Sequence, residues 1–130
     1  MKKIFLIDQE KFRCSLIEMS LKNEGISTFA LQNPKESLNF IEDILPDIIL
    51  VDLSTLLSSN GQFFLNELKL NNKISNIPMI AMGMAKDANE FNLLYKNIQF
   101  EHFIERPFSI AQLKNQIKGI LKNVSLNKKV

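Results

Sequence analysis

The sequence predicts an open α/β fold, a doubly wound five-stranded parallel sheet with five helices distributed over its two faces. Three observations carry this. Short apolar runs of strand length alternate strictly with longer segments of helical period, the pattern of consecutive βα units. The runs Lys3 to Asp8, Asp47 to Asp52 and Met79 to Met82 are nearly continuous in apolar residues, as strands covered on both faces must be. The chain has 130 residues, 45% of them hydrophobic, enough for one substantial core but hardly two.

The elements follow in order. Lys3 to Asp8 is the first strand. Glu10 to Asn23 is the first helix, with Phe12, Leu16 and Met19 at helical spacing as its core face and Gly25 as the stop. Ile26 to Leu31 carries Ser27 and Thr28 and reads as an edge strand. Asn33 caps a second helix, with Pro34 in its first position and Glu36 three residues after the cap; it buries Leu38, Ile41 and Leu45 and ends at Pro46. Asp47 to Asp52 is the third strand, followed by a loop to Gly61. A third helix runs on from Gly61 through Phe64 and Leu68. Met79 to Met82 is the fourth strand. Asp87-Ala88-Asn89-Glu90 reads as a capping box opening a fourth helix, which turns Phe91, Leu94, Tyr95 and Ile98 onto one face. His102 to Glu105 is the fifth strand, and Ser109-Ile110-Ala111-Gln112 opens a last helix that buries Leu113, Ile117 and Leu121. Residues 1–122 form the domain; the polar segment 123–130 reads as a frayed tail or the start of a linker.

Right-handed crossovers and economical connection favour the strand order 2-1-3-4-5, a flavodoxin-like arrangement. That order sets the ends of the first and third strands side by side at the switch point, so Asp8 and Asp52 should be neighbours. Open α/β sheets place their sites on this edge. Arg106, at the end of the fifth run, should reach the same edge.

Composition excludes several function classes. Sixteen Lys and Arg against fourteen Asp and Glu leave a net charge of +2, scattered along the chain, which argues for neither direct nucleic-acid contact nor a membrane surface. The first apolar run is too short for a signal-peptide core or a membrane span, so a cytoplasmic protein is expected. Cys14 is the only cysteine and reads as a structural thiol. His102, the only histidine, reads as a solvated edge group, and Gly119 as a mild weakness in the last helix or a point of close approach for a partner.

Two strand-end carboxylates beside a cation suit a divalent metal and a phosphoryl group, because hard oxygen ligands suit magnesium and a cation steadies transferred charge. The competing reading is that each aspartate caps the helix or turn that follows it. The motifs IFLIDQE, PDIILVD, IPMIAMG and FIERPF, in this order and spacing over residues 3 to 122, resemble the receiver domain of two-component response regulators, the CheY-like family. The resemblance implies that Asp52 is the phosphoacceptor supplied by a histidine kinase. It implies that Asp8 helps hold magnesium, that the backbone carbonyl of Ser54 meets the metal, and that Phe103 is the aromatic that turns inward on switching.

The departures from that pattern matter as much. Gln9 stands where the family carries a second carboxylate, and offers only a neutral carbonyl oxygen. Gly83 stands at the Ser or Thr position and has no hydroxyl for a phosphoryl oxygen. Arg106 replaces Lys, a planar fork for a compact ammonium, and is expected to pair bidentately with Asp52. The loop after Asp52 lacks the family's proline. Together these substitutions imply weak magnesium binding or none.

The favoured reading is therefore an atypical, non-enzymatic receiver that keeps Asp52 but works by protein contact without phosphorylation. The alternative is a receiver weakly but genuinely phosphorylated by a histidine kinase. The expected partners are a histidine kinase or a downstream signalling protein, and the expected state is a monomer or weak dimer. The contact face should be formed by the fourth helix, fifth strand and fifth helix, including Tyr95, Phe103 and residues near Lys114. A reading from another class, a small flavodoxin-like binding protein or enzyme, lacks a glycine-rich phosphate loop after the first strand.

Overall fold

The computed structural model describes residues 1–58, 61–106 and 108–128. Ser59 and Asn60 of the loop expected after Asp52, Pro107 of the turn after the fifth run, and Lys129 and Val130 of the polar tail lie outside the described residues.

Five strands pair in parallel: β1 (Lys2–Ile7), β2 (Ile26–Leu31), β3 (Ile48–Asp52), β4 (Met79–Gly83) and β5 (His102–Glu105). Their order is β2-β1-β3-β4-β5, with β2 on an edge, as expected. Side chains alternate across the sheet with period two, so each strand feeds both layers. Ile4, Leu6, Ile48, Leu50, Ile80 and Met82 pack with Cys14, Ile17, Leu113 and Ile117 on one face. Phe5, Ile7, Ile49, Val51 and Ala81 pack with Ile41, Phe64, Leu68 and Phe91 on the other. This two-sided burial is why the central runs are apolar at consecutive positions.

The helices are α1 (Lys11–Lys22), α2 (Pro34–Ile44), α3 (Leu53–Ser58), α4 (Gly61–Leu70), α5 (Ala85–Leu94) and α6 (Ile110–Lys128). Six helices among the described residues replace the five expected, because the segment read as a loop after Asp52 begins with α3. The cause is local. Asp52 Oδ2 accepts from the backbone N–H of Thr55 at 3.1 Å, an N-cap bond that starts a helix directly at the strand's end. Helix α4 then starts hard against α3: a Cβ on Gly61 would lie 2.7 Å from the carbonyl carbon of Leu56, so only glycine fits there.

The face of α1 is the other correction. Phe12 and Met19 are 69% and 66% exposed and Leu16 is also exposed, whereas Cys14, Ile17 and Leu21 form the buried row. Both triplets have helical spacing, so periodicity alone does not choose between them. Arg13, Ile17 and Leu21 lie four residues apart in one row, and that row meets the sheet once Arg13 reaches the strand ends.

Smaller differences have equally local causes. In α2, Asn33 caps Lys35 N–H at 3.0 Å as expected, but Leu45 is left-handed (φ 50°) and exposed rather than buried, since the chain must turn before Pro46. Helix α5 opens at Ala85, two residues before the expected cap, and Asp87 closes back on the N–H of Met84 at 3.3 Å. Leu94 at its end is exposed. Ser109 and Gln112 form the reciprocal cap of α6 at 2.8 and 3.0 Å. That helix continues through the polar segment to Lys128, with Val124 packed against the core. Among the described residues a Cβ on Gly119 meets nothing within 4 Å.

Candidate functional site

The register sets Ile7 opposite Val51, so Asp8 and Asp52 leave the sheet as neighbours, and both are fully buried (0% exposed). Two like charges so placed are costly unless cations accompany them. Two arginines do. From the end of β5, Arg106 donates through Nη2 to Asp52 Oδ1, while its backbone N–H bonds to the carbonyl of Gly83 at 2.8 Å. From the first turns of α1, Arg13 grips Asp8 with both arms of its fork, Nε to Oδ2 at 2.5 Å and Nη2 to Oδ1 at 2.8 Å. The same Nη2 lies 3.8 Å from Asp52 Oδ1, so one guanidinium serves both carboxylates.

Asp52 is otherwise saturated by α3. Its Oδ2 accepts from the hydroxyls of Ser54 at 3.0 Å and Thr55 at 2.8 Å as well as from Thr55 N–H. This corrects the expected bidentate pairing with Arg106: Nη2 alone engages Asp52, and among the described residues Nε is buried with no partner, because the second carboxylate oxygen belongs to the α3 cap. Asp8 Oδ1 also accepts from Glu10 N–H at 3.0 Å. Both aspartates thus organise the turn that follows them, the competing role read from the sequence, while sitting side by side at one strand-end edge of the sheet.

The remaining candidates fall around this pair. The carboxamide of Gln9 is engaged at both ends, donating to Ser54 Oγ at 3.3 Å and accepting from Ser58 Oγ at 3.2 Å, and its backbone N–H donates to Thr55 Oγ1 at 2.9 Å. Ser54 lies in the first turn of α3, where carbonyls run along the helix axis. Gly83 ends β4 between Asp52 and Arg106; a Cβ there would stand 3.8 Å from Arg106 Nη2 and 3.7 Å from Asp87 Oδ2. Phe103, on the edge strand β5, is 39% exposed beside a cleft of about 350 Å³ lined by Leu53, Ala88, Phe91 and Phe100.

The electrostatics follow from these contacts. The hydrogen bond to Asp8 holds the Arg13 guanidinium above its ordinary value, against the opposing effect of burial and with help from Asp52. Burial pushes the Cys14 thiol up, with the charge of Asp8 adding to it; Cys14 Sγ donates to the Asp8 carbonyl at 3.4 Å. The buried structural thiol read from sequence is what the structure contains. His102 is exposed.

Sequence reasoning missed Arg13 and Thr55. A signal for Arg13 existed: two carboxylates ending fully apolar strands demand cations, and Arg13 is the first fork-shaped one after Asp8. Thr55 had the spacing of an N-cap pair with Asp52, three residues on.

A family model described as the response regulator receiver domain matches residues 4–118. Among solved structures, a response regulator from Desulfuromonas acetoxidans is 26% identical with a TM-score of 0.77, covering 94% of this chain and 98% of its own. The chemotaxis response regulator CheY4 of Vibrio cholerae is 15% identical with a TM-score of 0.77, over 92% of this chain and 98% of its own. A streptococcal protein described as one of a family of redox sensors evolved from two-component response regulators is 16% identical with a TM-score of 0.84, over 99% of this chain and 55% of its own. Among the described residues no helix is long and apolar enough to cross a membrane.

Proposed function

This chain belongs to the response regulator receiver domain family, and from that premise we propose that it is a receiver whose signal is a protein-contact surface, held in one state without phosphorylation of Asp52. Family membership displaces the flavodoxin-like enzyme as a reading. The observation that carries the proposal is the saturation of Asp52: fully buried, one oxygen bonded to Arg106 and the other accepting three hydrogen bonds from α3. A carboxylate that attacks a phosphoryl donor needs an oxygen free to approach it. Freeing one here breaks the Arg106 pair or the α3 cap, and leaving a buried charge without its partner costs about 3–5 kcal/mol.

Gly83 supports the same reading. The position at which the resemblance implies a hydroxyl is here a glycine, with no group to bond a phosphoryl oxygen. The surface available for contact lies on α5 and β5, where Leu93, Leu94 and Phe103 are exposed apolar side chains. Tyr95 is half-buried and stacks on Phe91 at 4.6 Å between centroids. Lys114, near which this face is expected to extend, pairs with Glu24 at 3.3 Å. The partner is a signalling protein that docks on this apolar face, a histidine kinase or a downstream component. The streptococcal redox-sensor relative supports the idea that this fold can be turned to signals of another kind.

The test is a titration with magnesium, with and without beryllofluoride as a phosphoryl mimic, following backbone amide shifts of the wild type and Asp52→Ala. No saturable response at millimolar metal is expected. Saturable shifts around Asp8, Asp52 and Phe103 that vanish in the variant would overturn the proposal in favour of a working phosphorylation switch driven by a histidine kinase.

A further inference from the structure

Magnesium, which the family resemblance implies, prefers near-octahedral oxygen ligation and keeps several of its waters. The donor set around Asp8 and Asp52 does not fit it. Both oxygens of Asp8 accept from the Arg13 fork, and Oδ1 also from Glu10 N–H. The Gln9 carbonyl oxygen accepts from Ser58, and among the described residues no group of three or more His, Cys, Asp or Glu side chains could hold a metal ion. A divalent cation at this place would sit against two guanidinium groups already within ion-pairing distance of the same Asp52 oxygen.

The pocket nevertheless holds two buried carboxylates side by side, the arrangement that calls for a cation. Arg13 meets that need from within the chain. Its backbone N–H is pinned by the carboxylate of Glu10 at 3.0 Å, and its helix is docked by Cys14, Ile17 and Leu21, so the fork is delivered already oriented. The side chain is 22% exposed, enough for an edge to face solvent but not for the head to wander freely.

We propose that Arg13 is the resident cation of this pocket, bridging Asp8 and Asp52 in the place of a divalent metal and masking a latent metal site. With both arginines present the four charges cancel and a divalent ion gains nothing by entering. With Arg13 neutralised, Asp8 and Asp52 against Arg106 alone leave the pocket with an excess negative charge, Asp8 Oδ2 freed and Oδ1 holding only the Glu10 N–H. This deepens the reading given under Proposed function, and it concerns metal exclusion rather than phosphoryl transfer.

The experiment measures binding of manganese, as the paramagnetic probe for the hard divalent site, to the full chain by electron paramagnetic resonance. Wild type, Arg13→Met, Arg13→Lys and Arg13→Met/Asp8→Asn are compared, with folding checked by circular dichroism. Arg13→Met should bind at least about tenfold more tightly than wild type; Arg13→Lys should stay close to wild type, and the double variant should lose the gain. Equal affinity in wild type and Arg13→Met, or no binding to a folded Arg13→Met, overturns the inference. If Arg13→Met is unfolded in the absence of metal, restoration of its fold by manganese supports the inference and failure to restore it overturns it. A wild type that responds to beryllofluoride sinks the phosphorylation-independent reading; unchanged metal affinity on loss of Arg13 sinks only the present one.

Discussion

Arg106, just past β5, and Asp52, at the end of β3, stand two strands apart and meet beside Gly83, the residue that ends the strand between them. The guanidinium passes beside the position a side chain on β4 would take: a Cβ on Gly83 would lie 3.8 Å from Arg106 Nη2, in ordinary van der Waals contact. Two departures from the pattern the resemblance implies, glycine for a hydroxyl residue and arginine for lysine, thus lie against one another.

That coupling is measurable. Gly83→Ser should strain the backbone at φ 159° and set a hydroxyl beside the Arg106 head, together costing about 2 kcal/mol. Arg106→Lys, which shortens the side chain, should cost a similar amount. The double variant should be less destabilised than the sum of the two by about 1 kcal/mol or more, the mark of residues sharing one space. Urea midpoints of the four proteins give the coupling directly, and strict additivity would separate the two substitutions.

The orientation of α1 predicts a contrast between neighbouring apolar residues. Ile17 is fully buried against the sheet, so Ile17→Ala should cost about 2–5 kcal/mol, transfer plus cavity. Met19, two positions on and mostly exposed, should tolerate Met19→Ser within about 0.5 kcal/mol. Thermal denaturation of the two variants checks this, and a reversed ranking would restore the helix face that periodicity first suggested.

Leu45 closes α2 in the left-handed region at φ 50° with its side chain exposed. The steric cost of that conformation for an L-residue is about 1–2 kcal/mol, whereas glycine gives up about 0.5–1 kcal/mol of chain entropy on folding. Leu45→Gly should therefore stabilise the protein by about 0.5 kcal/mol, read as a rise in the urea midpoint without a change in slope.

Cys14 should be a slow thiol. It is buried beneath Asp8 and its pKa is raised from 9.0, first by burial and then by the charge of Asp8. The unfolded chain then loses this proton at lower pH than the folded one, so the thiol's contribution to stability is intact below about pH 9 and is lost as pH rises through the folded-state value. Labelling with a disulfide reagent should be much faster in denaturant than in buffer. Stability of Cys14→Ala should fall less steeply than that of wild type above pH 9; parallel curves would remove Cys14 as a source of the alkaline dependence.

The layout of this protein was legible in its residues because it rests on patterns written in contiguous segments. Consecutive apolar residues in Ile48 to Val51 specify a strand buried on both faces, Asn33-Pro34 specifies a helix start, and alternation of such runs specifies a parallel sheet with Asp8 and Asp52 at one edge. The tertiary structure decided what those aspartates meet. Arg106 bonds to Asp52 across 54 residues, the α3 cap takes that carboxylate's other oxygen, and Arg13 turns the first helix so that Ile17 rather than Met19 enters the core. Those choices depend on which charges are buried together, and the cost of leaving a buried carboxylate unpaired outweighs the small difference between two equally periodic helix faces.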